Sequence, residues 1–129
     1  MADSPRLCHV WFSTKRWKRL LAGDVEIAAK RLLRAVAADK SIDLRECETM
    51  VDHVHLLLSA RPRELSRDVK QLKGVSSRRL FQLFPELKMD AQTGNFWQRG
   101  FGYRAIEEGA EGVAWYIRTQ KRRTGAYDR

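Results

Sequence analysis

Two histidines separated by one valine are the residues of this sequence whose types and spacing best suit metal chemistry. His53-Val54-His55 opens a short apolar run that ends before Pro62, and this length and composition predict a buried strand. On a strand, alternate side chains share a face, so both histidines point away from Val54 and Leu56. Residues two apart lie roughly 6–7 Å from each other along a strand, so both imidazoles can reach one metal ion. A His-x-His pair is common, however, and other residues must complete such a site.

A tyrosine and a glutamine near the C-terminus are the candidates that complete it. Tyr116 and Gln120 stand four residues apart in the segment from Glu111 to Arg123. The apolar residues of this segment recur at the longer spacing that is typical of a helix. Four residues is the spacing that puts two side chains on one helix face. If this helix covers the histidine strand, Gln120 offers an amide oxygen as third metal ligand, and Tyr116 lies one turn away. The alternative is that Tyr116 is a packing residue, as tyrosines on apolar helix stripes usually are.

The composition indicates a globular protein with a polyanionic partner. The chain has 129 residues, of which 43% are hydrophobic, and 25 Lys and Arg against 16 Asp and Glu give a net charge of +9. A single domain, 1–129, of this charge favours nucleic acid as the partner. Cys8 and Cys47 lack metal-motif spacing and predict reduced core residues of a cytoplasmic protein. No secretion signal and no run of membrane-spanning length are visible, so we expect no membrane partner.

Basic residues are the candidate contacts for that nucleic acid. They form one cluster after the first strand and one at the end of the predicted helix that carries Tyr116, with single residues next to Gly74 and within that helix: Lys15, Arg16, Lys18, Arg19, Lys73, Arg118, Lys121, Arg122 and Arg123. Trp17, within the first cluster, could stack on a base or anchor a solvated loop. Gly74 lies inside a predicted helix, where it permits close approach of another backbone or, less favoured, of a phosphate.

The elements that position these residues alternate between strands and helices. Apolar periodicity predicts, in chain order, a strand over Leu7–Ser13, a helix from Asp24 to about Asp39, a strand over Ser41–Met50, the histidine strand, a helix over Glu64–Phe84, strand structure within Phe96–Ile106 and the tyrosine helix. Two strand–helix–strand units joined by a hairpin describe an α+β fold. We therefore predict a ferredoxin-like split βαβ antiparallel sheet, with an additional C-terminal helix that carries Tyr116.

Five segments together resemble one protein family. They are Cys8-His9-Val10-Trp11 through Lys15, Met50-Val51-Asp52-His53-Val54-His55-Leu56-Leu57, Leu72-Lys73-Gly74-Val75-Ser76-Ser77, Phe96-Trp97 to Tyr103, and Tyr116-Ile117-Arg118-Thr119-Gln120. Their order and spacing resemble the single-tyrosine HUH (His-hydrophobic-His) transposases of small bacterial and archaeal insertion sequences, including the REP-associated tyrosine transposases.

The resemblance implies a metal-dependent enzyme that cleaves and rejoins single-stranded DNA through a 5′-phosphotyrosine on Tyr116. It implies Mg²⁺ or Mn²⁺ as the metal, whereas ligand type alone equally allows Zn²⁺. It further implies DNA with hairpin ends as the substrate, action at the nucleoid, and a homodimer in which Tyr116 serves the partner's histidines. The alternative class is a non-catalytic module that binds single-stranded RNA or DNA on an aromatic sheet surface, with Trp11, Trp97 and Tyr103 as stacking residues.

Overall fold

The computed structural model describes residues 4–88 and 94–106, and up to residue 106 its elements follow the predicted order. They are β1 (Arg6–Ser13), a 3-10 turn (Lys15–Trp17), α1 (Gly23–Asp39), β2 (Asp43–Thr49), β3 (His53–Ala60), a 3-10 turn (Pro62–Glu64), α2 (Leu65–Leu83) and β4 (Gly102–Ile106). The predicted helix with Tyr116 and Gln120 lies outside the described residues. Within the described ranges, no helix is both long and apolar enough to cross a membrane.

The four strands form one antiparallel sheet in the order β2-β3-β1-β4. This order confirms the α+β, ferredoxin-like split βαβ prediction, since β1 and β3 lie side by side at the centre. A short turn joins β2 to β3, where the Met50 amide donates to the His53 carbonyl at 2.8 Å. The pairing of β1 with β3 places Ser13 opposite His53 and Trp11 opposite His55. The register therefore fixes which β1 side chains border the histidines.

One face of the sheet packs on α1 and α2 and forms the core. Val10 and Phe12 of β1 and Val54 and Leu56 of β3 are at most 3% exposed. They meet apolar side chains that the two helices present at helical spacing, among them Leu33, Val36, Val69, Leu72 and Leu80. Full burial of one such side chain stabilises the fold by about 1.5–3 kcal/mol. The strand alternation predicted from the sequence is thus confirmed, and the histidines lie on the other face.

The predicted strand structure over Phe96–Ile106 is confirmed only in its second half, because β4 spans Gly102–Ile106 and Trp97 forms only an isolated antiparallel β-bridge with Thr14. Phe96 and Trp97 are instead buried side chains that fill the space between the end of β1 and α2. Their polar groups are satisfied from α2: the Trp97 Nε1–H donates to Ser76 Oγ and the Phe96 amide to Ser77 Oγ, both at 2.9 Å. Trp97 is only 3% exposed, so it cannot offer a surface on which a base stacks.

The close approach of β1 and β4 depends on a glycine. A Cβ at Gly102 would come within 2.1–2.4 Å of the indole ring of Trp11, so only glycine lets the two strands keep this contact. In the turn before β4, Gly100 has a φ of +83°, a left-handed conformation that favours glycine. Trp11 stays partly exposed on the histidine face, and its ring centroid lies 5.1 Å from that of His9.

Candidate functional site

The candidate site lies at the start of β3, where the structure brings the two predicted histidines together. The Nε2 atoms of His53 and His55 lie 3.1 Å apart. Their rings are nearly perpendicular, at 80°, with centroids 4.9 Å apart. Strand alternation alone would allow rings that diverge, so the contact between the two Nε2 atoms is a specific feature of this face.

Asp52 orients the first of these histidines. Its Oδ1 lies 2.7 Å from Nδ1 of His53, and the carboxylate is buried. A carboxylate oxygen only accepts, so Nδ1 of His53 carries the proton and its Nε2 presents a lone pair. Carboxylate support of this kind fixes the ring and increases its basicity as a metal ligand. The sequence pattern alone did not indicate this role of Asp52.

His9 orients the second histidine, and the sequence did not indicate it as part of the site. Its Nε2 lies 3.0 Å from Nδ1 of His55, with ring centroids 5.2 Å apart. His9 reaches this place from β1, whose neighbouring Trp11 pairs with His55. The alternation within β1 already put His9 and Trp11 on one face. What the sequence lacked was the register between β1 and β3, which decides whether that face is shared with the histidine pair.

Burial keeps both His55 and its hydrogen-bond partner His9 neutral. Burial, with smaller contributions from nearby His53 and His9, lowers the pKa of His55 to about 4. Burial, followed by the charge of Arg104, also lowers the pKa of His9 below its ordinary value. Both imidazoles are therefore neutral near pH 7, which is the form that binds metals.

The geometry of the two Nε2 atoms fits a shared metal ion. Two neighbouring ligands of an octahedral ion, each about 2.1 Å from it, stand about 3 Å apart, and tetrahedral zinc ligands slightly farther. The observed 3.1 Å lies within that range. Among the described residues, no group of three or more His, Cys, Asp or Glu side chains could hold a metal ion. The pair thus needs further ligands, and the predicted one, Gln120, lies outside these residues.

The basic connector that follows β1, residues 15–19, lies at the same end of the sheet as the histidine pair. It leaves β1 directly after Ser13, the residue that pairs with His53. The ring centroid of Trp17 is 5.7 Å from that of His53, although the Trp17 side chain remains 55% exposed. The backbone amide of Arg16 donates to Gln98 Oε1 at 3.0 Å, which fastens the turn. The predicted DNA contacts Lys15, Arg16, Lys18 and Arg19 are therefore grouped around the histidine end of the sheet.

Lys73 has a role that sequence analysis did not predict. Its Nζ donates to the carbonyl oxygens of Gln98, at 2.7 Å, and of Gly100. Burial lowers the pKa of its ammonium group. Lys73 thus ties the loop before β4 to α2, and its contact with DNA stays a prediction. The other predicted DNA-binding residues, Arg118, Lys121, Arg122 and Arg123, lie outside the described residues together with Tyr116.

Known proteins share both this sequence pattern and this fold. Residues 6–120 match the family of IS200-like transposases. The chain is 37% identical over 114 residues to the ISDra2 transposase TnpA of Deinococcus radiodurans, covering 87% of this chain and 81% of that protein. It is 29% identical over 113 residues to the transposase of insertion sequence element IS200 from Salmonella typhimurium, covering 87% and 74%.

Solved structures agree with these relatives. A crystal structure of a protein assigned as a transposase in Deinococcus radiodurans is 34% identical and superposes with a TM-score of 0.73, covering 90% of this chain and 91% of that one. A REP-associated tyrosine transposase bound to a REP hairpin has the same fold at 13% identity, with a TM-score of 0.66 over 95% of this chain and 70% of its own. The α+β fold of this chain, an antiparallel four-stranded sheet with two helices, is thus shared with solved transposases. The chain belongs to the IS200-like transposase family and is an enzyme of DNA strand cleavage and transfer.

Proposed function

We propose that this transposase cleaves and rejoins single-stranded DNA through a covalent 5′-phosphotyrosine on Tyr116, with a divalent metal held by His53, His55 and Gln120. The observation that carries the proposal is the pair of Nε2 atoms at 3.1 Å, each ring supported by its own hydrogen-bond partner. A divalent cation bound there, Mg²⁺ or Mn²⁺, neutralises charge on a non-bridging phosphate oxygen. Neutral imidazoles suit this role, since they add no negative charge that would weaken the cation's attraction for phosphate.

Tyr116 supplies the nucleophile in this proposal. Its phenol oxygen attacks phosphorus and forms the Tyr–O–P bond, while the bond from phosphorus to the 3′ oxygen breaks. The phenol proton is lost to solvent, and the departing 3′ oxygen takes up a proton to become a 3′-OH. The phosphotyrosine keeps the energy of the original phosphodiester, so a free 3′-OH reverses the reaction and joins a new strand without ATP.

The charge of the chain and one fold neighbour support the proposed substrate. The net charge of +9 favours a polyanion, and the fold neighbour bound to a REP hairpin supports single-stranded DNA with hairpin ends as the substrate. The proposal includes a homodimer in which Tyr116 acts on the partner's histidine pair. It also includes action in the cytoplasm at the nucleoid, because the substrate is chromosomal DNA.

The test of the nucleophile is Tyr116→Phe, which removes only the hydroxyl. Incubated with Mn²⁺ and a single strand from the DNA flanking its gene, the wild type should form a protein–DNA adduct that survives denaturing electrophoresis. Mass spectrometry should locate the adduct on the Tyr116 peptide. The phenylalanine variant should bind the same strand with unchanged affinity and form no adduct. An adduct formed by the variant would show that Tyr116 is not the nucleophile.

A mixed dimer tests whether Tyr116 of one subunit acts on the histidine pair of the other. Tyr116→Phe subunits are combined with subunits that carry both His53→Ala and His55→Ala. If the tyrosine acts on the partner's site, the mixture contains one intact composite site and recovers cleavage that neither parent shows. If each subunit uses its own tyrosine, no intact site forms and the mixture stays inactive.

A second candidate function is a nucleic-acid-binding role without cleavage. Two aromatic side chains on or beside the sheet favour it, since Trp11 is 37% and Tyr103 is 60% exposed. Either could stack on an unpaired base. A wild type that binds flanking single strands but forms no adduct on any of them would favour this candidate.

A further inference from the structure

The middle of α2 contains a glycine that packing among residues 4–88 and 94–106 does not explain. A Cβ at Gly74 would meet a single heavy atom within 4 Å, the Nη1 of Arg78 at 3.9 Å, which is ordinary van der Waals contact. Its φ is not in the left-handed region, since only Gly23 and Gly100 among the described glycines have positive φ. Apart from proline, glycine is the least favourable residue in a helix interior. The absent side chain thus leaves space on the outer surface of α2.

Two clefts meet at this glycine. One, of about 590 Å³, lies between α2 and the loop before β4, and the other, of about 460 Å³, lies beside the same helix. Both are lined by Lys70, Gly74 and Arg78, and the first also by Lys15 and Arg99. No described residue that lines either cleft is Asp or Glu. We call the first of them the Gly74 cleft.

Acidic side chains among the described residues do not neutralise the cations of the Gly74 cleft. Lys15, Lys70, Arg78 and Arg99 form no ion pair with any residue in the described part of the chain. Side chains of one sign that line a concave surface concentrate positive potential there. Such a surface selects a partner with closely spaced negative charges.

The walls of the cleft are fixed before any partner binds. Lys73 holds the carbonyls of Gln98 and Gly100, while Ser76 and Ser77 hold Trp97 and the Phe96 amide. These contacts tie the loop before β4 to α2 at three polar side chains, which lie within one and a half turns of the helix. Trp97 is the one aromatic residue among those described in the lining, and it is buried. Bases therefore have no ring to stack on, and contacts must go to the sugar–phosphate backbone.

One residue of the cleft lining is close in sequence to the histidine end of the sheet. Lys15 lines the cleft and follows β1, whose last residue, Ser13, pairs with His53. We propose that the Gly74 cleft binds the sugar–phosphate backbone of single-stranded DNA next to the scissile phosphate, and that the missing side chain at Gly74 lets this backbone approach α2. The inference rests on the proposed function, because it takes the cleaved strand as the occupant.

The decisive variant is Gly74→Gln, because the two roles of this residue predict opposite effects. Glutamine favours a helix more than glycine, so the variant should melt about 2–3 °C above the wild type. Its side chain fills the cleft without adding charge, so the Kd for a fluorescein-labelled single strand with a hairpin should rise about tenfold by anisotropy. A gain in thermal stability together with a loss of affinity cannot come from damage to the fold.

Charge variants test the same cleft without changing its shape. Lys70→Gln and Arg78→Gln should each weaken binding and reduce the slope of log K against log salt by about 0.7, the value for one single-strand phosphate. Arg79→Gln is the matched control, since Arg79 is exposed on α2 and lines neither cleft. It should leave the slope closer to the wild type than either cleft variant does.

The outcomes separate this inference from the proposed function. Wild-type affinity and salt slope in Gly74→Gln, Lys70→Gln and Arg78→Gln would overturn the cleft while leaving cleavage by Tyr116 intact. Weakened binding in these variants, combined with a wild type that forms no adduct, would support the cleft as a DNA site and overturn the cleavage proposal. At saturating DNA the cleft variants should still form the adduct, because the histidine pair is unchanged.

Discussion

The two faces of the sheet use the same two central strands for different purposes. On the helix face, Val54 and Leu56 of β3 are fully buried against α1 and α2. On the other face, His53 and His55 contact each other and are supported by polar side chains. Because neighbouring residues in a strand point to opposite faces, a single segment of β3 carries both packing and chemistry. The two functions can therefore be changed separately by substitutions one residue apart.

The energetic roles of the two faces also differ. The apolar face gains stability from burial in proportion to its area. The histidine face buries imidazoles, and this burial lowers the pKa of His55 and His9, which means that it disfavours their charged forms. The histidine face therefore holds His55 and His9 in their neutral forms, which are the forms that bind metals. This difference leads to three predictions, ordered by the expected effect in kcal/mol.

The largest effect is expected for His55→Ala. Removal of one of two protein ligands on β3 should reduce adduct formation by at least about 10³-fold, or roughly 4 kcal/mol in the barrier. The melting temperature should change by only a few degrees, because the packing face is untouched. Gel-based cleavage and thermal unfolding measure the two quantities on the same sample. Normal cleavage by His55→Ala would contradict the metal-site assignment.

The neighbouring substitution Leu56→Ala should give the reverse result. Leu56 is 0% exposed, and loss of a fully buried leucine side chain costs about 2–5 kcal/mol of unfolding free energy. Urea denaturation measures this loss. The Mn²⁺ affinity of the folded protein, measured below its melting transition, should remain that of the wild type. A Leu56→Ala protein that is fully stable yet binds metal poorly would show that the two faces are not independent.

The sequence predicted the helix face well because that face is specified by local pattern. Alternation in β1 and β3, and helical period in α1 and α2, place each apolar residue without knowledge of the rest of the chain. Phe96 and Trp97 were assigned wrongly because their burial depends on Ser76 and Ser77, which lie about twenty residues earlier. Aromatic residues are typical of strands, which led to the strand prediction. The serine hydroxyls that accept hydrogen bonds from these two residues are brought next to them only by the fold.

The histidine face was predicted in part. The pair His53 and His55 follows from a spacing of two, but their supporting residues do not. Asp52 directly precedes His53, but its role was missed because an Asp at this place is also typical of a turn. His9 contacts a residue 46 positions away, and only the antiparallel register of β1 on β3 brings it there. Long-range polar contacts of this kind carry no periodic signal.

The smallest of the three effects concerns His9, and it follows from where protons must lie. If the Nε2 of His55 is to bind a metal, the proton of this ring must be on Nδ1, which faces Nε2 of His9 at 3.0 Å. His9 must then accept that proton's hydrogen bond. His9 is therefore a positioning residue, which selects the tautomer of His55 and fixes its ring.

Replacement of His9 should weaken metal binding while the ligands remain present. His9→Leu fills a similar space but accepts no hydrogen bond, and it should raise the Kd for Mn²⁺ about 10–100-fold, or about 1.4–2.7 kcal/mol, by calorimetry without DNA. His9→Gln keeps an acceptor near the position of Nε2 and should recover most of that affinity, which a purely structural role would not predict. Nitrogen-15 NMR of the metal-loaded wild type should show His55 protonated at Nδ1. Because burial already holds His55 neutral near pH 7, the loss in His9→Leu should be similar at pH 7 and pH 8. Wild-type Mn²⁺ affinity in His9→Leu would show that His55 is oriented by its strand alone.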